Sequence, residues 1–203
     1  MNYLAHFHLA ACARQTPDPQ GLLVGALLGD FVKGPLRGDW PADWERGIAL
    51  HRRIDALTDS HPEVRSLLQV LPPDYRRYGG IMLDVCFDYC LARHWRNFHG
   101  AALPDFAQQV YGVLGMHESA MPLPAAKQAR RLAQYDVLLA MGQWHTVENM
   151  LALIGQRLKR SNPLADCAPM LQERLPDIEA HFLRLYPQLT ELLDNDSIQH
   201  NSR

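Results

Sequence analysis

This chain has little from which to build a sheet: β-branched residues are sparse and alternating apolar stretches are short. Cysteine is scarce too. The four present, Cys12, Cys86, Cys90 and Cys167, include no C-x-x-C pair, and they are too few for the dense disulfide framework of a small secreted domain. Reduced thiols in a cytoplasmic protein are the expectation. Neither sign of charge dominates, since 20 basic residues face 22 acidic ones for a net charge of -2. No global positive field is therefore available to gather nucleic acid or anionic lipid. The longest apolar run, residues 21–29, is roughly half of what a bilayer-spanning helix needs. Residues 1–6 have neither a basic stretch nor an apolar core of the kind a secretory signal carries. Standard catalytic signatures are missing as well: there is no G-x-S-x-G, no P-loop, no G-x-G-x-x-G and no H-E-x-x-H.

What is present is a chain of 203 residues, 47% of them apolar, long enough to bury one good core. Apolar residues recur at helical spacing throughout, which predicts a single compact all-α domain over residues 1–195 with a polar, frayed tail over 196–203. Pro41, Pro62, Pro104 and Pro124 mark helix starts, because a first-turn residue needs no N–H donor and gains a preset φ. The predicted helices cover residues 2–13, 20–32, 42–59, 63–70, 80–98, 103–116, 123–139 and 146–159. A last pair, broken at Pro176, ends near Leu193. Gly21, Gly25 and Gly29 are four apart and strip one helix face, so another helix backbone is expected to approach it closely.

Charge turns up where a core should be. Within residues 81–91 the only charges are Asp84 and Asp88, at i and i+4 on one face of a helix that is otherwise apolar all round. Two buried carboxylates so close repel each other and lose hydration, so they need a cation, an arginine, helix N-termini or a shared proton. A metal site and a structural pair both answer that need. The metal reading gains from repetition. Asp30 closes the apolar run 21–29, and His51, Asp55 and Asp59 follow one another at i, i+4 and i+8 along a single stripe. A mixed nitrogen and oxygen set rich in carboxylates suits manganese, magnesium or ferrous iron better than a thiol-rich zinc site. His6 and His8 lie about 200° apart on an ideal helix, so one site takes both only if the helix is distorted. No Glu-x-x-His occurs, which speaks against a ferritin-like di-iron centre, and a metal-activated water is favoured over a nucleophilic triad.

Several of these residues fall in a familiar order. The opening Asn2-Tyr3-Leu4-Ala5-His6-Phe7-His8, then Gly29-Asp30-Phe31-Val32-Lys33-Gly34, then His51-Arg52-Arg53-Ile54-Asp55 with Thr58-Asp59 come first. Leu83-Asp84-Val85 with Asp88, His94-Trp95, and His181-Phe182 to Tyr186-Pro187 complete the set. Together they resemble the acyl carrier protein phosphodiesterase family over almost the whole chain. The resemblance implies a helical fold related to the HD-type phosphohydrolases, although this chain has no adjacent His-Asp dipeptide. It implies hydrolysis of 4'-phosphopantetheine from a serine of holo-acyl carrier protein, with manganese as the usual metal. It also implies Asp30, His51, Asp55, Asp84 and Asp88 as metal ligands, with Asp30, His51 and His94 catalytic and Arg52 or Arg53 neutralising the phosphoryl oxygens. His6, His8 and Asp59 stand behind them as orienting residues. An acidic carrier protein calls for a basic docking patch, for which Arg76-Arg77, Lys127 with Arg130-Arg131, and Arg157 with Lys159-Arg160 are the candidates. Two rival readings remain open: an HD-like hydrolase of a small nucleotide, and a non-enzymatic helical binding module.

Overall fold

The computed structural model describes residues 1–13 and 18–199, and all of its regular elements are helical. Twelve α-helices are described: α1 (Tyr3–Cys12), α2 (Pro19–Leu28), α3 (Ala42–Ser60), α4 (Pro62–Val70), α5 (Pro73–Arg76) and α6 (Gly79–Arg93) come first. They are followed by α7 (Leu103–Met116), α8 (Leu123–Gln134), α9 (Val137–Ala140), α10 (Trp144–Arg157), α11 (Ala168–Glu173) and α12 (Leu175–Gln199). The proline reasoning holds at each predicted start: Pro41 precedes α3, while Pro62, Pro104 and Pro124 sit in the first turns of α4, α7 and α8.

Helix α6 runs through the core, and its Met82, Leu83, Val85, Cys86, Phe87, Cys90 and Leu91 are all within 1% of complete burial. It packs against α1, α4, α10 and α12, as its all-round apolarity requires. The closest pair is α2 and α3. A Cβ on Gly25 would lie 2.2 Å from the Trp44 carbonyl oxygen and 2.6 Å from Cα of Gly47, so neither backbone could hold its place beside a side chain there. The glycine stripe therefore serves close packing inside the domain. No helix among the described residues is long and apolar enough to cross a membrane.

Four boundaries differ from expectation. The chain leaves α2 at Leu28, so Asp30 stands on a turn. His94 ends α6, and the predicted stretch to residue 98 becomes a 3-10 turn over Trp95–Asn97, pinned where the Trp95 indole donates to the Ala101 carbonyl (2.8 Å). The predicted helix 123–139 breaks at Asp136, which adopts the left-handed conformation (φ 46°) that Asp tolerates better than most residues. Beyond the break, the Leu138 N–H donates to the Tyr111 hydroxyl (2.9 Å), a partner supplied by another helix. At the C-terminus α12 begins at Leu175 with Pro176 in its first turn and runs on to Gln199, past the expected end near Leu193. Residues 200–203 of the expected tail lie outside the described residues.

Candidate metal centre

Three helices and one turn bring the candidate ligands together. Positions i and i+4 on α3 set His51 and Asp55 on one face, and the ring of His6 from α1 stacks on that of His51, with centroids 3.7 Å apart and planes 8° from parallel. Nε2 of His6 lies 3.1 Å from one oxygen of Asp55, and Nε2 of His51 lies 3.3 Å from the other. Asp30, on the turn after α2, comes within 3.6 Å of the same His51 nitrogen. One ligand atom each from His6, His51 and Asp55 fall within 4.8 Å of one another.

Each neighbour has a physical reason. The His51 Nδ1–H donates to the Ala26 carbonyl of α2 (2.8 Å), which turns Nε2 toward the carboxylates. Gly29 makes room for it, since a Cβ there would fall 2.2 Å from the imidazole Cγ. Burial pushes the His6 imidazole down to about 4, so it is neutral near pH 7. Burial would raise Asp55, but the His51 and His6 imidazoles and the N-terminal ammonium beside it outweigh that and hold the carboxyl well below the usual carboxylate range. Asp30 and Asp84 move the other way, raised chiefly by burial with the Asp55 charge adding to it.

Asp84 opens from α6 onto the same cavity, about 210 Å³ in volume, which Met1, His6 and Asp30 also line. Its oxygen takes the N-terminal ammonium at 2.7 Å, and that ammonium also stands 3.5 Å from Asp55. Positive charge is therefore drawn to the point where these carboxylates converge. The ring nitrogen of His51 faces oxygens of both Asp55 and Asp30, and two imidazoles with carboxylates form a fitting donor set for a divalent metal.

The other sequence candidates go elsewhere. Asp88 is fully buried and accepts from the Leu4 N–H (2.7 Å) and the Ala5 N–H (3.0 Å), so it caps the N-terminus of α1 in place of a local residue. Both of its oxygens are thereby engaged away from the cluster, although it shares a helix face with Asp84. His8 faces α12: its Nε2 donates to the Phe98 carbonyl (3.2 Å) and its Nδ1 accepts from the Tyr186 hydroxyl (2.8 Å). His94 pairs with Glu179 of α12 at 2.5 Å, ten residues from Asp84 and so ~15 Å along the helix axis. Arg52 donates to the carbonyls of Val32 and Gly34 (both 2.8 Å), bracing the turn behind Asp30, while Arg53 is exposed on α3. Asp59 is exposed one turn beyond Asp55, and its charge helps to raise Asp84.

Of the basic clusters, Arg76 caps the carbonyls of Leu71 and Gln69, and Arg130 pairs with Glu118 at 3.4 Å. Arg131 and Arg157, from two different clusters, line one groove. Sequence reasoning kept His6 in reserve and did not single out Gly29 as the space for His51. The glycine spacing was the available signal for the close approach, but nothing local tells which ring would fill it.

Fold and site together define a helical protein with a histidine and carboxylate centre suited to a divalent cation. Residues 1–189 match the family model described as Acyl carrier protein phosphodiesterase. Proteins of that name from Serratia proteamaculans and Pectobacterium atrosepticum are similar to the chain at 34% and 33% identity. The matches cover 94% and 95% of this chain and 96% and 97% of theirs. One from Yersinia pestis is 33% identical over 93% of this chain and 95% of its own length. The chain belongs to the acyl carrier protein phosphodiesterase family. No solved structure gives a significant match.

Proposed function

We propose that this protein is a metal-dependent phosphodiesterase of the cytoplasm that removes 4'-phosphopantetheine from the serine of holo-acyl carrier protein. The carrying observation is the convergence of His6, His51 and Asp55 in a chain matched by that family over residues 1–189. His6, His51 and Asp55 would hold the cation, with Asp30 and Asp84 completing or flanking the set. A divalent cation bound there supplies Lewis-acid chemistry for phosphoester cleavage. Manganese is the metal we favour, with magnesium and ferrous iron as alternatives that carboxylate-rich sites also accept.

The protein's own groups supply order. The Ala26 carbonyl fixes the His51 tautomer, Asp55 aligns both imidazoles, and Arg52 holds the 32–34 backbone so that Asp30 stays at the cavity edge. In the reaction the oxygen of water bonds to phosphorus, the bond from phosphorus to the serine oxygen breaks, and the serine oxygen takes a proton. We read residues 1–195 as the catalytic domain and the centre as an HD-like arrangement without the adjacent dipeptide.

The test is incubation of holo-acyl carrier protein with the purified protein and manganese, followed by mass spectrometry. Loss of the phosphopantetheine mass, with apo-carrier appearing, is the expected result. An intact carrier beside rapid hydrolysis of a nucleotide would overturn the substrate, and no hydrolysis of any phosphoester would overturn the enzyme.

A further inference from the structure

The cavity at the metal centre has a larger neighbour. Asn2 and Ile154 line it and also line a second, larger cavity of about 500 Å³. This groove runs between α8 and α9 on one side and α10 on the other, with Tyr3 of α1 beside the junction. Its volume falls within the roughly 300 to 1,000 Å³ of sites that take small organic ligands. Its lining mixes two chemistries. Val137, Ala140, Leu153 and Ile154 offer apolar surface, while Gln128, Thr146 and Asn149 offer paired donors and acceptors. Arg131 and Arg157 bring positive charge to the same walls.

Tyr3 ties the two cavities together electrically. Burial first and the Asp30 charge second push its hydroxyl up to about 12, and the Arg157 and Arg131 charges oppose them. The phenol thus stands within range of the candidate metal centre on one side and both guanidinium groups on the other.

We propose that this groove binds the arm of the substrate, an extended chain carrying amides, so that its phosphate end is delivered to the metal centre. This rests on the phosphodiesterase reading above. The arm is a chain of apolar links interrupted by amides, which is what alternating aliphatic walls and side-chain amides recognise. The Gln128 and Asn149 carboxamides pair with amide N–H and C=O groups, the aliphatic walls take the methylenes, and Arg131 and Arg157 neutralise the phosphate end. Binding energy collected along the arm, away from the reacting bond, fixes the diester in place. The phosphorus is bonded directly to the carrier's serine and the arm runs on beyond it, so with the diester at the metal centre the arm needs a groove of its own close by.

Asn149→Trp and Thr146→Phe fill the groove from α10 without touching the His6, His51 and Asp55 cluster. Each variant is checked for an unchanged thermal melt and then assayed on holo-carrier protein and on bis(p-nitrophenyl) phosphate, a diester without the arm. We expect kcat/KM for the carrier to fall at least about tenfold while the small diester stays within about twofold. Equal loss on both diesters, or an unchanged rate on the carrier, overturns the proposal. Wherever the wild-type chain leaves one of the two diesters intact, binding decides instead. Pantetheine, titrated calorimetrically into the metal-free full chain, should bind wild type and fail to bind Asn149→Trp, and identical behaviour of the two overturns the arm site. Wild type inert toward both diesters but binding pantetheine in the groove would sink the phosphodiesterase reading and keep the arm site.

Discussion

His6 and His51 lie face to face, 3.7 Å between ring centroids, and turn their Nε2 atoms toward the two oxygens of one carboxylate, Asp55. Two imidazoles presenting nitrogen to one carboxylate form a site organised for a shared cation. Such a site should bind metal as a unit. Chelation should abolish phosphodiester hydrolysis and added manganese should restore it. His6→Ala or His51→Ala should cost at least about 100-fold in activity at limiting metal. The check is a manganese titration of each variant by metal content and by turnover. Unchanged metal binding in both would refute a role for the stacked pair as ligands.

Gly29 should be intolerant of the smallest side chain. The Cβ of Gly29→Ala would meet His51 Cγ at 2.2 Å, so the ring must move or the turn must open, at a cost of about 1 to 3 kcal/mol. Activity should fall at least about tenfold, because the displaced ring no longer faces Asp55. Kinetics read beside a thermal melt will separate the two effects. A fully active Gly29→Ala would mean that His51 need not sit where it does.

Asp88 should act on stability before it acts on catalysis. Its two acceptors cap Leu4 and Ala5, and Asp88→Asn sets an amide donor against one of those N–H groups, which should destabilise the fold by about 1 to 3 kcal/mol. Burial holds the folded Asp88 carboxyl up at about 7, above its ordinary 3.8. The folded state therefore keeps this proton more tightly than the unfolded chain. The resulting stabilisation is full below about pH 4 and is lost as pH rises through about 7. The asparagine variant has no such loss, so its deficit against wild type should narrow between pH 5 and pH 8 in chelator-treated protein. A deficit that widens with pH would reverse the sign of this assignment.

His94 should be dispensable for the chemical step. Its imidazole is committed to Glu179 on α12, far along α6 from Asp84. His94→Ala should keep turnover within about twofold while lowering the melting temperature by a few degrees. A drop of 100-fold or more with the fold intact would restore the proton-donor role that the family resemblance suggested.

Helical periodicity already carried the all-α class, the proline-marked starts, the glycine face of α2 and the pairing of His51 with Asp55. These follow from geometry internal to one helix: residues four apart share a face wherever that helix is packed, and a proline in a first turn leaves no donor orphaned. The same rule correctly put His6 and His8 on opposite sides of α1. It could not say which of them would meet α3, nor that Asp88 would spend both oxygens on the N–H groups of α1, 83 and 84 residues away in sequence. It also could not foresee that Arg131 of α8 and Arg157 of α10 would line one groove. Those outcomes depend on which helix faces pack together, and packing is decided by the shape and burial of the whole core. A carboxylate on an apolar helix face signals that a partner is required, and tertiary structure alone chose a helix terminus for Asp88 and an ammonium for Asp84 four residues earlier.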